Sequence, residues 1–193
     1  MSGVVGRVEQ IAVYPVKSLA GRTVPAARVE VEGLRGDRAY AVVDAATGER
    51  VAARTSPRLR EVVATGDADA DSATLTAVLG RPVRLAPSAG GPQVDAAAVH
   101  LVSRQAVDRA AAGEVPVGCS AEDPRANLLL ELAADDGDER TWVGRRLRVG
   151  EALLRVTRLP RHCLGVYAEV LEPGEVAVGD PVGLDDAPPA AGR

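Results

Sequence analysis

Cys163 is the side chain of this sequence best suited to bind a soft metal or to act as a nucleophile. It lies in the segment Leu159–Gly165, directly after Arg161 and His162. A thiolate is both a soft metal ligand and a good nucleophile, and neighbouring cations lower the pKa of a thiol. Arg161, or His162 when protonated, would therefore lower the pKa of Cys163. Adjacent side chains of a strand face opposite sides, however, so His162 contacts Cys163 only if Pro160 and Gly165 place the segment in a turn. The alternative interpretation, a buried structural cysteine, has equal weight on residue type alone.

The second cysteine and the two histidines give weaker signals. Cys119 has no partner at metal-ligand spacing, so we expect an inert thiol. The two cysteines form neither a CxxC pair nor the framework of a disulfide-rich protein. His100 and His162 are too few and too far apart to predict a zinc site. His100 alternates with apolar neighbours in a strand-like segment, and we expect it to be partly exposed.

Several cations are placed where they could hold an anion. Lys17 and Ser18 stand side by side where a strand ends in a turn, and Lys17 is the single lysine among 23 basic residues. Arg38, Arg54 and Arg125 add guanidinium groups, which bind phosphate through paired N–H donors. Most arginines of such a chain are solvated surface residues. Lys17 is the exception, because the one compact ammonium falls in the motif that suits a phosphate.

The composition limits the class of protein. The chain has 193 residues, 46% of them hydrophobic, which is enough for a compact core. Its net charge of −4 and aromatic content of 2% argue against a protein that coats nucleic acid, which needs a basic face and stacking platforms. No segment is long and apolar enough to cross a membrane, and the N-terminus lacks a signal-peptide pattern. We expect a cytoplasmic protein that binds neither nucleic acid nor membrane.

Short apolar stretches of period two, separated by turn residues, predict a mainly β fold. The strand candidates are 28–32, 39–43, 74–78, 82–86, 98–102, 127–132, 146–149, 152–157, 166–171 and 175–178. Many short strands at this spacing are typical of a barrel or a sandwich. One helix is predicted to begin after Ser103 as its N-cap and to stop at Gly113. The fold class is therefore α+β with few helices.

Turn-rich segments suggest the domain organisation. The segment Pro87–Gly91 predicts a boundary between an N-terminal β domain, residues 1–88, and a second domain, residues 92–184. Residues 185–193, which contain two prolines, predict a flexible tail. The acidic stretch Asp135–Glu139 predicts an exposed loop.

Taken in order, these motifs resemble the MOSC family, named for the C-terminal domain of molybdenum-cofactor sulfurase, together with the β-rich domain that often precedes it. The resemblance covers nearly the whole chain. Its motifs are Tyr14–Leu19, Gly33–Arg38, Ala53–Leu59, Val99–Ser103, Arg125–Asn127, Trp142–Gly144, Val149–Gly150, the Cys163 segment and Gly179–Val182.

The resemblance implies a MOSC β barrel joined to an N-terminal β domain, and a ligand of the molybdopterin type, the molybdenum cofactor. By this resemblance Cys163 is the thiolate ligand of molybdenum and the catalytic cysteine. Lys17, Ser18, Arg38 and Arg125 match positions that bind the phosphate and pterin of the cofactor. The other two candidates, Arg54 and Asn127, lie in matching motifs with less defined roles.

The relatives implied are the amidoxime-reducing components and bacterial proteins like them. These reduce N-hydroxylated small molecules with electrons from a partner protein that carries flavin, haem or iron-sulfur. We therefore expect an oxidoreductase with a small-molecule substrate and a separate electron donor. Two alternatives stay open. The chain could carry the cofactor, or a persulfide on Cys163, without turnover, or it could be a β-barrel interaction module that has lost the site.

Two departures from the family pattern concern the site. Family members carry an extended segment after the ligand cysteine, whereas here the strand beginning near Val166 follows almost at once. One alignment keeps Cys163 as ligand with a shortened loop, and another leaves no ligand cysteine. We favour the first because Val156 precedes Cys163 by about the expected interval. In addition, Ala96 and Ala97 replace hydroxyl residues, which removes phosphate contacts.

Overall fold

The computed structural model describes residues 2–88, 97–120, 124–133 and 137–185. The strands are β1 (Ser2–Val13), β2 (Val16–Lys17), β3 (Arg22–Val24), β4 (Ala26–Glu30), β5 (Gly33–Leu34), β6 (Tyr40–Asp44), β7 (Val83–Pro87), β8 (Val99–Ser103), β9 (Leu128–Leu132), β10 (Arg146–Val149), β11 (Ala152–Arg158), β12 (Val166–Glu172), β13 (Gly174–Ala177) and β14 (Pro181–Asp185). The helices are α1 (Ala68–Leu79) and α2 (Arg104–Ala111), with short 3-10 helices at Pro57–Glu61 and Glu139–Trp142.

The chain divides into two compact units that alternate along the sequence. One, the barrel unit, comprises Met1–Ala12, Val24–Arg35 and Ala96–Arg193. The other, the small unit, comprises Val13–Thr23 and Gly36–Asp95. The domain boundaries expected from sequence, 1–88 and 92–184, stay a prediction, and residues 89–91 of the expected linker lie outside the described residues.

Seven strands of the barrel unit close into a ring. Their order is β14-β10-β11-β12-β8-β9-β1, and β1 completes the ring because it pairs antiparallel with both β9 and β14. Leucine and valine side chains alternate into its core, as at the fully buried Leu130, Leu147 and Leu154. A separate three-stranded sheet, β13-β4-β5, belongs to the same unit. The expected mainly β barrel fold is thus confirmed.

Helix α2 begins as predicted. The Ser103 hydroxyl accepts a hydrogen bond from the backbone N–H of Ala106, which caps the helix. The same Ser103 donates from its hydroxyl and from its backbone N–H to the carboxylate of Glu139, at 2.6 and 3.2 Å. Glu139 is fully buried. Its expected place in an exposed acidic loop is therefore wrong, because this carboxylate is the partner of a helix cap.

The small unit packs a three-stranded sheet, β2-β6-β7, against helix α1 and the first 3-10 helix. Its core is aliphatic, with Val42, Leu59 and Leu75 fully buried. The predicted strand at residues 74–78 is wrong, since these residues form the second half of α1. Asp67 caps this helix by accepting from two backbone N–H groups, and Gly80 ends it in the left-handed conformation.

The C-terminal part of the described chain is more ordered than predicted. Asp185, expected to begin a flexible tail, is the last residue of β14 and pairs with Ser2 of β1. Residues 186–193 lie outside the described residues. Within the described ranges, neither helix is long and apolar enough to span a membrane.

Candidate functional site

Three of the predicted site residues share an unusual backbone conformation. Ser18, Arg38 and Arg125 have positive φ angles of 75°, 51° and 54°. In the described part of the chain they are the only residues other than glycine with positive φ. This conformation is costly for a residue with a Cβ, and such outliers cluster at ligand-binding sites. The unusual backbone conformation therefore occurs at three positions for which the motif resemblance implies cofactor binding.

In the small unit, Lys17 and Arg50 lie on one face of the sheet. They pair with residues of β6 that are two positions apart along the same strand edge. Their neighbours Val16, Val42 and Val51 point into the hydrophobic core. Because side chains alternate across a strand, Lys17 and Arg50 project from the opposite face. Lys17 is half-buried and Arg50 is exposed.

Arg38 is held firmly beside this face. Its guanidinium Nη1 donates to Oδ2 of the buried Asp37 and lies over the ring of Tyr14, 5.2 Å from the ring centroid. The backbone closes the same turn: Tyr14 N–H donates to Asp37 Oδ1 and Arg38 N–H donates to Tyr14 O, both at 2.7 Å. The Ser88 hydroxyl donates to the Arg38 carbonyl oxygen at 2.9 Å. A guanidinium has five N–H donors, so these contacts orient it and leave donors for a ligand.

Positive charge is concentrated at Lys17. Burial of its ammonium, followed by the nearby charges of Arg50 and Arg38, lowers the pKa of Lys17 from 10.5 to about 8. An ammonium whose charge is made costly by other cations is stabilised by an anion, which removes the repulsion. This Lys17, Arg38 and Arg50 group is the cation cluster. Arg54 lies in an exposed turn of the same unit, and no contact described for it joins it to the cluster.

In the barrel unit, Cys163 lies in the loop that connects β11 to β12. The loop is pinned at its end by Gly165, which has a φ of 83° and approaches β8 so closely that a Cβ there would lie 2.0 Å from the Leu101 carbonyl oxygen. Only glycine fits such an approach. The bend brings the half-buried Cys163 Sγ to 3.9 Å from the hydroxyl of Tyr167.

The electrostatic environment of Cys163 differs from the expectation. Burial raises the pKa of the thiol, and the Tyr167 hydroxyl and Arg140 only partly offset this. The predicted lowering by Arg161 and His162 is wrong, because both side chains are exposed and do not contribute. The thiol is therefore predominantly protonated at neutral pH, and a bound metal cation would be needed to hold it as thiolate.

His100 is buried rather than partly exposed. Its Nε2 lies 2.8 Å from the carbonyl oxygen of Leu164, and its ring packs edge-on against Tyr167 at 4.8 Å. The expectation failed because both faces of β8 are covered: helix α2 packs against this strand. His100 thus supports the residue next to Cys163 and the tyrosine that contacts its sulfur.

Asn127 and Arg125 lie at the entry to β9. The buried Asn127 amide accepts from the His100 N–H at 3.2 Å and donates to the Ala12 carbonyl oxygen at 3.4 Å, so its described contacts join β8 to β1. Arg125 is half-buried in its strained conformation. Cofactor binding by either residue stays a prediction. The described residues contain no group of three or more His, Cys, Asp or Glu side chains that could hold a metal ion.

Comparison with protein families now identifies the chain. The model of the MOSC N-terminal beta barrel domain matches residues 5–115, which is more than half of the sequence. The chain belongs to the MOSC N-terminal beta barrel domain family. This family carries the association with the molybdenum cofactor that the sequence motifs implied. None of the curated protein sequences matches this MOSC chain significantly.

The fold of this MOSC chain occurs in a solved structure of low sequence identity. The YuaD protein from Bacillus subtilis aligns with a TM-score of 0.54 and 14% identity, over 95% of this chain and 98% of that protein. YiiM from Escherichia coli aligns with a TM-score of 0.47 and 15% identity, over 94% of this chain and 70% of that protein. At such identity the YuaD match supports the fold alone.

Three residues of this MOSC chain near the predicted positions escaped sequence analysis. Arg50 joins the cation cluster through strand pairing, and its only local signal is its place just after the 44–48 turn. Tyr167 and Arg140 both lower the pKa of Cys163, and they lie 4 and 23 positions away from it in the sequence. Tyr167 is the second residue of β12, directly after the cysteine loop, and this position is a local signal in the sequence. Arg140 gives no signal without the fold.

Proposed function

We propose that this chain binds a molybdenum cofactor of the molybdopterin type and reduces N-hydroxylated small molecules with electrons from a separate donor protein. The observation that carries the proposal is the strained backbone at Ser18, Arg38 and Arg125. The motif resemblance implies these three positions independently of their backbone conformation. A backbone strained at each of them is expected if these positions hold a ligand.

The cation cluster fits a phosphate group. Arg38 is oriented by Asp37 and Tyr14, and Lys17 carries a charge that its neighbours make costly. A phosphate monoester dianion would restore the pKa of Lys17 toward 10.5 and accept charge-assisted hydrogen bonds from the ammonium and the guanidinium groups. The Ser18 hydroxyl, adjacent in the chain, would add a neutral donor.

The Cys163 environment fits a soft metal. Burial raises the pKa of the Cys163 thiol, so it is a poor nucleophile at neutral pH, but a metal ion can displace its proton and bind the thiolate. The Tyr167 hydroxyl would donate to the resulting thiolate and fix its direction, while His100 holds the tyrosine ring. When bound, the molybdenum centre supplies two-electron oxygen-atom transfer. In the overall reaction an N-hydroxy group plus two electrons and two protons gives the N–H compound and water.

The donor is proposed to be a flavin, haem or iron-sulfur protein of the cytoplasm, because each turnover consumes two electrons, which these redox groups can supply. The substrate is proposed to be a small amidoxime or hydroxylamine. Neither nucleic acid nor membrane is proposed as a partner, since the net charge of −4 disfavours polyanionic surfaces.

The test is the molybdenum and pterin content of protein purified from a host that makes the cofactor. We expect close to one of each per chain. Cys163→Ser should lose molybdenum, and Lys17→Met should lose both molybdenum and pterin, while the exposed Arg58→Met serves as a charge-matched control that retains both. Protein without molybdenum from such a host would refute the proposal.

Turnover is tested separately with benzamidoxime and a chemical electron donor. Loaded protein should release benzamidine. Protein that holds molybdenum but reduces no N-hydroxylated substrate would instead be a cofactor carrier. A persulfide on Cys163, seen as a mass increase of about 32 Da, would indicate sulfur transport.

A further inference from the structure

Cys119 and Cys163 are brought together although 44 positions separate them in sequence. The Cys119 thiol donates to the carbonyl oxygen of Cys163 with a sulfur to oxygen distance of 3.2 Å. The next residue continues the contact, because the Ser120 N–H donates to the His162 carbonyl oxygen at 3.0 Å. A carbonyl oxygen lies about 2.4 Å from its own Cα, so Cys119 Sγ is within about 6 Å of Cys163 Cα.

The two cysteines are therefore neighbours in the fold. Since a cysteine Sγ lies roughly 2.8 Å from its own Cα, the two Cα atoms are within roughly 8.5 Å of each other, a range that includes the ~4.4–6.8 Å that disulfides span. Both cysteines are free and partly exposed, so a small oxidant can reach them. The Arg140 guanidinium lies 3.8 Å from Cys119 Sγ and places a positive charge beside the sulfur where negative charge develops during oxidation.

We propose that Cys119 and Cys163 form a redox-active pair, which hydrogen peroxide converts into a reversible intramolecular disulfide. One thiol is first oxidised by peroxide to a sulfenic acid, with release of one water. The sulfur of the second cysteine then attacks the sulfenic sulfur, forming the S–S bond and releasing a second water. In balance, two thiols and one peroxide give one disulfide and two waters, and a dithiol reductant reverses the change.

The consequence for the site follows directly. In the disulfide the Cys163 sulfur is bonded to carbon and sulfur and is no longer available as a thiolate ligand. Oxidation would therefore prevent Cys163 from binding a metal, and it would protect Cys163 from irreversible oxidation to a sulfinic acid. Only this consequence rests on the proposed function; formation of the disulfide is tested on the full chain purified without cofactor.

The experiment treats the full chain at about 10 μM with a small excess of hydrogen peroxide and measures intact mass after alkylation of remaining thiols. Wild type should lose about 2 Da, take up no alkylating agent and return to two alkylatable thiols after dithiothreitol. Trypsin should yield a linked pair of peptides that contain Cys119 and Cys163. Because the effective concentration of neighbouring thiols is millimolar, disulfide-linked dimers should be about 100-fold rarer than the intramolecular product.

The matched variants are Cys119→Ser and Cys163→Ser. With Cys119→Ser, peroxide should leave a sulfenic acid on Cys163 that is trapped by dimedone and then advances to a mass increase of about 32 Da. The proposal is overturned if wild type gains the same mass as this variant, or if the disulfide appears only between two chains. If no intramolecular disulfide forms, the proposal of molybdenum binding is unaffected. If the purified protein contains no molybdenum, the disulfide result is unaffected, so each proposal can be refuted without the other.

Discussion

Lys17 is the only lysine of the chain, so lysine labelled with ¹³C at Cε gives one side-chain signal. Titration of that signal should show a midpoint at about pH 8, because burial and the charges of Arg50 and Arg38 disfavour the ammonium. An unperturbed lysine titrates near pH 10.4. Addition of inorganic phosphate should move the midpoint upward, since a bound anion offsets the neighbouring positive charges.

The same perturbation predicts a stability change for Lys17→Met. A lysine whose pKa falls from 10.5 in the unfolded chain to about 8 in the folded protein is destabilising wherever both states are charged, which is below pH 8. The difference corresponds to about 3 kcal/mol at 1.36 kcal/mol for each pH unit, and solvent screening of the partly exposed ammonium reduces this to about 1–2 kcal/mol. Between pH 8 and 10.5 the folded state loses its proton first, so the cost fades as pH rises.

The assay is urea unfolding of wild type and Lys17→Met at pH 7 and at pH 10. The variant should be more stable by about 1–2 kcal/mol at pH 7, with a smaller advantage at pH 10. Arg58→Met removes an exposed charge from the same unit and should change stability by less than about 0.5 kcal/mol at either pH. If Lys17→Met were destabilising at pH 7, or if its advantage did not depend on pH, the cation cluster would not be electrostatically strained.

Three further predictions concern the neighbours of the site. Arg50→Met should raise the Lys17 titration midpoint above pH 8 without changing the circular dichroism spectrum, whereas Arg58→Met should leave it unmoved; equal midpoints in both variants would exclude Arg50 from the cluster. Gly165→Ala places a Cβ 2.0 Å from the Leu101 carbonyl oxygen and should cost about 3 kcal/mol or more in urea unfolding. Gly113→Ala, with a φ of 89° and open space, should cost only about 1–2 kcal/mol, and equal losses would show that the close approach has no effect. Ser103→Ala removes a helix cap and a partner of the buried Glu139 carboxylate, so it should cost about 2–3 kcal/mol, against less than about 0.5 for the exposed Thr74→Ala in α1.

Sequence patterns predicted the strands well where one face of a strand is apolar. Alternation located β10, β11 and β12 to within about a residue at each end, because period two reports the pleat directly. The same pattern misled at residues 74–78, where alternating threonine and aliphatic residues lie on a helix. Asp67 and Gly80, the two caps of α1, were the signals that could have corrected it.

The contacts of the candidate site were less predictable, for a physical reason. Local patterns indicate which side of a strand a residue faces but not whether that side is covered, and for this reason the sequence predicts a partly exposed His100. The partners of Glu139 and Cys119 lie 36 and 44 positions away and depend on barrel closure. Resemblance to the family predicted Lys17, Ser18, Arg38 and Arg125 as site residues. Arg50 was not predicted, because its place beside Lys17 depends on the register of the sheet.

The position of β1 in the barrel has a consequence for how the protein is made. Among the seven barrel strands β1 is synthesised first, yet its partner β14 is synthesised last, with Ser2 paired to Asp185. At about 5–20 residues per second, the N-terminal strand waits on the order of 10–40 seconds before its partner exists. During that time its backbone is an open edge that can pair with other chains. Translation pauses before β14, or a stop codon there, should therefore favour aggregation, and nascent-chain chaperones should be needed until β14 has been synthesised.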